Sequence, residues 1–366
     1  MEIESKSIGK RQGGALRAAV FVALLLVLLF GASALIRPKH GEVYNITEVQ
    51  MKLDALRLER AQSMDIFFAG DSESYRTFSP LQLWKERGYT SYNLGASALR
   101  LCDAYEIFAS ALEYQSPKLV FLETDAILAE AGTHKDEDDL LTNRVEDLLP
   151  IFHYHIFYKS YLPESVRNQD IYWKDANILK GFLVQDMERP YGGGDYMAED
   201  KRLTPIPEAN RVFLNNFKEL CLEKGIQLVI VSAPSASTWH SGKHKAIAEW
   251  SEDNGVPYLD LNLLLSDMGI DWEHDTMDGG NHVNFAGAVK TTAYVGKYIE
   301  EQFELSDHRE DPDFSDWDQK LKTAEAEFGL EFGHGGEASE SARAMGGRDS
   351  GFLYRFNKSE EEEGRF

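Results

Sequence analysis

Cysteine is scarce in this chain. Cys102 and Cys221 are its only two, too few for a disulfide framework. Both fall in helix-like segments far apart in sequence, so two buried thiols are expected. Positive charge is also short. The chain has 38 Lys and Arg against 61 Asp and Glu, a formal net charge of -23, which argues against the basic surface that a nucleic-acid partner requires. Metal-ligand signatures are thin. His240 and His244 are four apart, a spacing that suits one metal, but no nearby cysteine or carboxylate pattern completes the set. His274-Asp275 stands alone. No metal and no cofactor is expected.

Apolar residues are plentiful, at 43% of the chain, enough for a packed core. One long run stands out. Residues 18–36 (AAVFVALLLVLLFGASALI) are 19 residues without a charge, enough to span a bilayer at about 1.5 Å per residue. Lys6, Lys10, Arg11 and Arg17 precede the run, so the positive-inside rule puts residues 1–17 in the cytoplasm and the rest of the chain outside. Arg37 and Lys39 weaken that asymmetry without reversing it. The run reads as an uncleaved, single-pass anchor in the cell membrane, because its apolar character continues past Ala32-Ser33-Ala34. That A-x-A triplet is the basis of the competing reading, a cleaved signal peptide. Either places the domain outside the cytoplasm.

After a stalk and a first helix in residues 41–63, short apolar runs alternate with helical patterns. Residues 64–69 (MDIFFA), 91–94, 118–122 (KLVFL), 227–232 (QLVIVS) and 256–261 (VPYLDL) read as strands. Residues 80–87, 99–114, 208–223, 243–254 and 285–303 read as helices, with Gly225 and Gly255 as stops. Runs of Val, Leu, Ile and Phe between helices imply a parallel sheet covered on both faces, hence a doubly wound α/β domain over residues 41–303 with roughly five core strands. Residues 130–207 break the pattern with acids, aromatics and glycines, and read as an insertion over the strand ends: a lid, a binding loop or a small subdomain. Residues 306–366 are acidic and weakly periodic, ending in Glu360-Glu361-Glu362-Glu363, and are expected to be mostly disordered.

Two distant stretches carry the chemistry. Gly70-Asp71-Ser72 follows the first core strand directly, where open α/β sheets place their ligands. Asp278-Gly279-Gly280-Asn281-His282-Val283-Asn284 precedes the last helix, with Asn284 as its N-cap. Serine becomes a nucleophile when a base takes its proton and an acid orients that base. Between them, Asn93-Leu94-Gly95 ends the second strand, where a glycine amide can join an oxyanion hole. Each piece alone has an ordinary explanation as a turn or a loop.

Taken in order, a GDS after strand one, a glycine after strand two and an Asp…His-x-Asn segment before the last helix resemble the SGNH (GDSL-type) hydrolase superfamily, over residues 62–303. The anchor, the insertion and the form His282-Val283-Asn284-Phe285-Ala286-Gly287 look most like its extracytoplasmic branch, which includes the D-alanyl-lipoteichoic acid biosynthesis protein and the alginate O-acetyltransferase-like proteins. The resemblance implies a flavodoxin-like three-layer α/β/α fold and a serine-based acyl transfer or deacylation. Ser72 would be the nucleophile, His282 the base and Asp278 its orienter, with Asp275 as fallback. The amides of Ser72 and Gly95 would hold the oxyanion. The family spaces its aspartate three residues before the histidine; here Asp278 is four before His282. The family's third block supplies an asparagine to the oxyanion hole; here Leu122-Glu123-Thr124-Asp125 has none, so either Thr124 lends a hydroxyl or the hole rests on backbone amides alone. The implied role is a membrane-anchored acyltransferase or esterase on the acyl groups of an envelope polysaccharide or polymer, working with a membrane-bound acyltransferase. The alternative is an inactive module on the same fold that binds an envelope glycan or such a partner.

Overall fold

The computed structural model describes residues 2–36, 48–129, 177–198 and 204–332. Most of the expected insertion, and the end of the tail, lie outside the described residues. The chain divides into two units, residues 1–47 with 132–171 and residues 48–131 with 172–366. In the first, helix α1 (Glu2–Ile36) contains a stretch, residues 16–33, long and apolar enough to cross a membrane. Leu24, Val27 and Leu28 on it are exposed. Such an all-apolar stretch leaves no face suited to water.

The second unit is a parallel sheet wrapped in helices. Helix α2 (Glu48–Arg57) leads to β1 (Ile66–Ala69), α3 (Ser72–Thr77), α4 (Pro80–Arg87), β2 (Ser91–Asn93), α5 (Leu101–Ala111), β3 (Leu119–Glu123) and α6 (Asp125–Leu128). After the insertion come α7 (Glu208–Lys224), β4 (Gln227–Ser232), α8 (Ser241–Asn254), β5 (Tyr258–Asp260), α9 (Leu265–Met268) and α10 (Phe285–Gln302). The strand order is β2-β1-β3-β4-β5, all parallel, with Ala69 beside Leu122 and Phe121 beside Val229. Every residue of β1, β2 and β3 is buried, because helices cover both faces. Alternation along β1 splits the core in two. Phe67 meets Phe108 of α5, which stacks on Phe217 of α7 at 4.4 Å. Phe68 on the other face stacks between Phe78 and Phe121, at 4.8 and 5.3 Å. Cys102 and Cys221 are buried free thiols.

The first part of the tail, residues 306–332, holds regular structure where disorder was expected. It contains a short 3-10 turn (Pro312–Phe314) and helix α11 (Ser315–Phe328). Trp317, 1% exposed, packs on Trp84 at 5.3 Å, and the Lys180 ammonium lies 4.0 Å from its ring. The buried carboxylate of Glu59 accepts from Lys180 at 2.5 Å and from Lys320 of α11 at 2.7 Å. Trp84 Nε1 donates to Asp318 at 2.9 Å. The segment is acidic overall, but Phe314, Trp317, Leu321 and Ala324 fall on one helical stripe. A few large anchors on that stripe suffice to dock it.

Candidate active site

The carboxyl end of β1 builds the first half of the site. Gly70 has φ +140, and a Cβ there would stand 2.7 Å from Glu123 Cβ, so only glycine lets the chain turn against β3. Asp71 then caps α3, its Oδ1 accepting from Glu73 N at 3.1 Å. Ser72 is the first helical residue. Its backbone N–H has no acceptor within the helix and stays available to an anion.

The second half comes from the loop before α10. Gly279 and Gly280 have φ +84 and +96, which turn the chain back on itself. Asp278 can then hold His282 twice. Its Oδ1 accepts from the His282 backbone N–H at 2.8 Å, and its Oδ2 lies 2.6 Å from His282 Nδ1. The four-residue spacing is thus the length of this closed turn. Thr276 ties the loop further, donating to the His282 carbonyl at 3.0 Å and accepting from Gly280 N at 2.8 Å. Asn284 caps α10, accepting from Gly287 N at 3.1 Å. Asp275 serves elsewhere: its Oδ2 accepts from Lys290 at 2.5 Å and from Asp271 N at 2.7 Å. It is not the residue beside the His282 ring.

These halves meet. Ser72 Oγ lies 2.8 Å from His282 Nε2, although 210 residues separate them. Burial alone would raise the Asp278 pKa, but the His282 hydrogen bonds and charge, with Arg76, hold it below the ordinary carboxylate value. An ionised carboxylate only accepts, so Nδ1 carries the imidazole proton and Nε2 accepts from the Ser72 hydroxyl. The chain Ser72–His282–Asp278 can therefore move a proton from the hydroxyl to the ring.

The expected oxyanion donors fare differently. The Gly95 N–H donates to Asn93 Oδ1 at 3.0 Å, and Lys52 holds the Gly95 carbonyl. Asn93 also binds α3, donating to Ser74 O at 2.9 Å and accepting from Ser74 Oγ at 3.2 Å. Thr124 is fully buried and its hydroxyl lies 2.9 Å from Ser232 Oγ and 3.2 Å from Glu123 Oε1. Neither Gly95 nor Thr124 offers a free donor here, because strand-end side chains have captured both. Of the expected set, the Ser72 amide alone remains open.

Sequence reading missed one feature of the site and gave another only as part of the insertion over the strand ends. The first is a nest of buried carboxyls around the serine: Asp71, Glu73 and Glu123, at 6%, 3% and 2% exposure, with the more open Asp125 beside them. Burial, with the neighbouring acids, pushes Asp71 and Glu73 well above the usual range and Glu123 up to about 7. An acid directly after a candidate nucleophile and another closing an apolar strand were the available signals. The second is residues 183–191, which run along the rim. Tyr75 and Thr276 carbonyls accept from Leu183 N and Arg189 N, and Gly279 N donates to Arg189 O, all at 2.9 to 3.0 Å. These bonds brace the His282 loop. His240 and His244 do not converge: His240 Nδ1 accepts from Gly242 N, while His244 Nδ1 lies 2.7 Å from Asp260. Among the described residues no group of three His, Cys, Asp or Glu is placed to hold a metal.

No family model and no curated protein matches the chain. Solved structures do resemble it at a distance. A candidate acylhydrolase from Bacteroides fragilis is 12% identical, with TM-score 0.36, covering 68% of this chain and 94% of its own. A GDSL-like lipase from Bacteroides thetaiotaomicron is 13% identical, with TM-score 0.34, covering 69% and 98%. A candidate platelet activating factor from Streptococcus pneumonia is 13% identical, with TM-score 0.37, covering 77% and 99%. Similarity this low transfers no activity, and the chemistry rests on the side chains of the site.

Proposed function

We propose that this protein is a membrane-anchored, extracytoplasmic serine acyltransferase or esterase of the SGNH type, acting on acyl groups of a cell-envelope polysaccharide or polymer. The observation that carries the reading is the unbroken hydrogen-bond chain Ser72–His282–Asp278 at the strand ends. In the reaction, Ser72 Oγ attacks the acyl carbonyl carbon while His282 Nε2 takes the hydroxyl proton. The carbonyl π pair moves onto oxygen, beside the Ser72 N–H. Collapse of the tetrahedral species expels the alcohol, which takes the proton back from His282, and leaves acyl-Ser72. An acceptor hydroxyl, or water, then enters by the reverse steps.

Support for that location comes from the apolar run and the basic residues before it. A glycan acceptor is supported by the aromatic group Tyr191, Tyr196 and Trp272, half-buried and 6.1 to 6.4 Å apart. Tyr191 lies against Gly280, two residues from His282, and such rings present faces on which sugars stack. The acyl group would come from a membrane-bound acyltransferase partner. A second reading, a non-catalytic module that binds the glycan or that partner, is favoured by the engagement of the Gly95 and Thr124 donors.

A fluorophosphonate probe separates the two. The expected result is labelling of the folded protein at Ser72, lost in Ser72→Ala. No labelling, with a known esterase labelled in parallel, overturns the catalytic reading. A Ser72→Ala protein that keeps the cellular role supports the binding one.

A further inference from the structure

Helix α3 begins at Ser72 and is only six residues long, too short to hold its place by its own bonds. Its carbonyls therefore take partners from outside the helix. Leu183 N donates to Tyr75 O and Thr292 Oγ1 to Thr77 O, both at 3.0 Å. Asn93, at the end of β2, supplies more. Its Nδ2 donates to Ser74 O at 2.9 Å and to Phe78 O at 3.3 Å, while its Oδ1 accepts from Gly95 N at 3.0 Å and from Ser74 Oγ at 3.2 Å. A side-chain amide has two donors and two acceptor lone pairs, and here all four are used. Asn93 is fully buried, so solvent does not make good a lost bond.

Its main chain is pinned as well. Asn93 pairs with Phe68 of β1, two residues before Gly70, and its N–H donates to Lys180 O at 2.9 Å. The Gly95 turn packs on the start of α3: a Cβ on Gly95 would lie 2.8 Å from Asp71 O and 3.1 Å from Ser74 Cβ. One amide thus ties together the sheet, the Gly95 turn and the helix that carries the nucleophile.

Resting on the serine acyl-transfer reading, we infer that Asn93 is a positioning residue for Ser72: its amide sets α3 against the sheet so that Ser72 Oγ meets His282 Nε2 at 2.8 Å. The tolerance is narrow, because a shift of about 1 Å at a reacting group costs about 10²-fold in rate.

The test uses the full chain in detergent. It combines p-nitrophenyl acetate hydrolysis with fluorophosphonate labelling carried to completion, so that rates are counted per labelled Ser72. Asn93→Ala removes all four bonds. Asn93→Asp has nearly the same shape and keeps the acceptor, but sets a carboxylate oxygen against the Ser74 and Phe78 carbonyls. Each is expected to lose about 10²-fold in kcat with KM little changed, the mark of an interaction felt in the transition state. The initial rate of labelling should fall in step, and decides the matter where hydrolysis is too slow to follow. Trp317→Ala, destabilised in the α11 contact, is the control. Its kcat per labelled Ser72 should match wild type, since lost stability removes sites without slowing those that remain. Either Asn93 variant that folds by far-UV circular dichroism and keeps wild-type rates per labelled Ser72 overturns the Asn93 role and leaves the acyl-transfer reading standing. An equal loss in Trp317→Ala does the same, as does failure of both Asn93 variants to fold, because the residue is then structural. Wild type that does not label at Ser72 overturns both.

Discussion

Trp317→Ala is expected to destabilise the α/β unit by about 3–5 kcal/mol. A buried tryptophan removes roughly 200 Å² from water, worth about 5 kcal/mol at about 25 cal/mol per Å². Trp317, at 1% exposure, is close to that limit. Its packing on Trp84 and under the Lys180 ammonium adds to the value, while residual burial in the unfolded chain subtracts from it. The loss should be read in urea titrations of the detergent-solubilised full chain, followed by far-UV circular dichroism so that the deleted indole does not alter the signal. In thermal melts it corresponds to about 2–4 °C per kcal/mol. Trp84→Ala should be strongly non-additive with it, since each removes the other's partner. A change below about 0.5 kcal/mol is what an undocked surface residue gives, and would refute the packing of α11 on the domain.

Two further outcomes bear on the site. Asp278→Asn should lower kcat by about 10⁴-fold by releasing the His282 tautomer, whereas Asp275→Asn, which strips Lys290 of its partner, should lower stability and leave kcat nearly unchanged; equal effects of the two on kcat would refute the assignment of roles. Glu123 gives a pH signature. Its native carboxyl is pushed up to about 7 from an ordinary 4.5, by burial first and by Asp125 next. The native state therefore holds a proton that the unfolded chain releases first, and stability falls as pH rises from 4.5 to 7, by about 3 kcal/mol for this group. The stability of Glu123→Gln relative to wild type should rise by that amount across the same window, and a flat difference would refute the burial argument.

Much of the fold is legible without coordinates. The apolar runs at 64–69, 118–122 and 227–232 lie within a residue or two of β1, β3 and β4, because a strand covered on both faces is apolar along most of its length. Helices over 80–87 and 208–223 are likewise near their observed bounds, Gly88 and Gly225 closing each in the left-handed conformation. The docked helix α11 was missed because composition outweighed its four-residue apolar stripe.

Local chemistry in the sequence determined that Ser72 follows a glycine turn and that His282 sits in a glycine-rich loop just before a helix capped by Asn284, since turns and caps depend on near neighbours alone. Only the tertiary structure decided that these two residues lie 2.8 Å apart, that Asp278 rather than Asp275 holds the imidazole, and that Gly95 and Thr124 are engaged elsewhere. Those outcomes depend on the order and register of five strands and on which polar groups compete for the same donors at their ends. Such competition is between residues far apart in the chain, and no local pattern records its result.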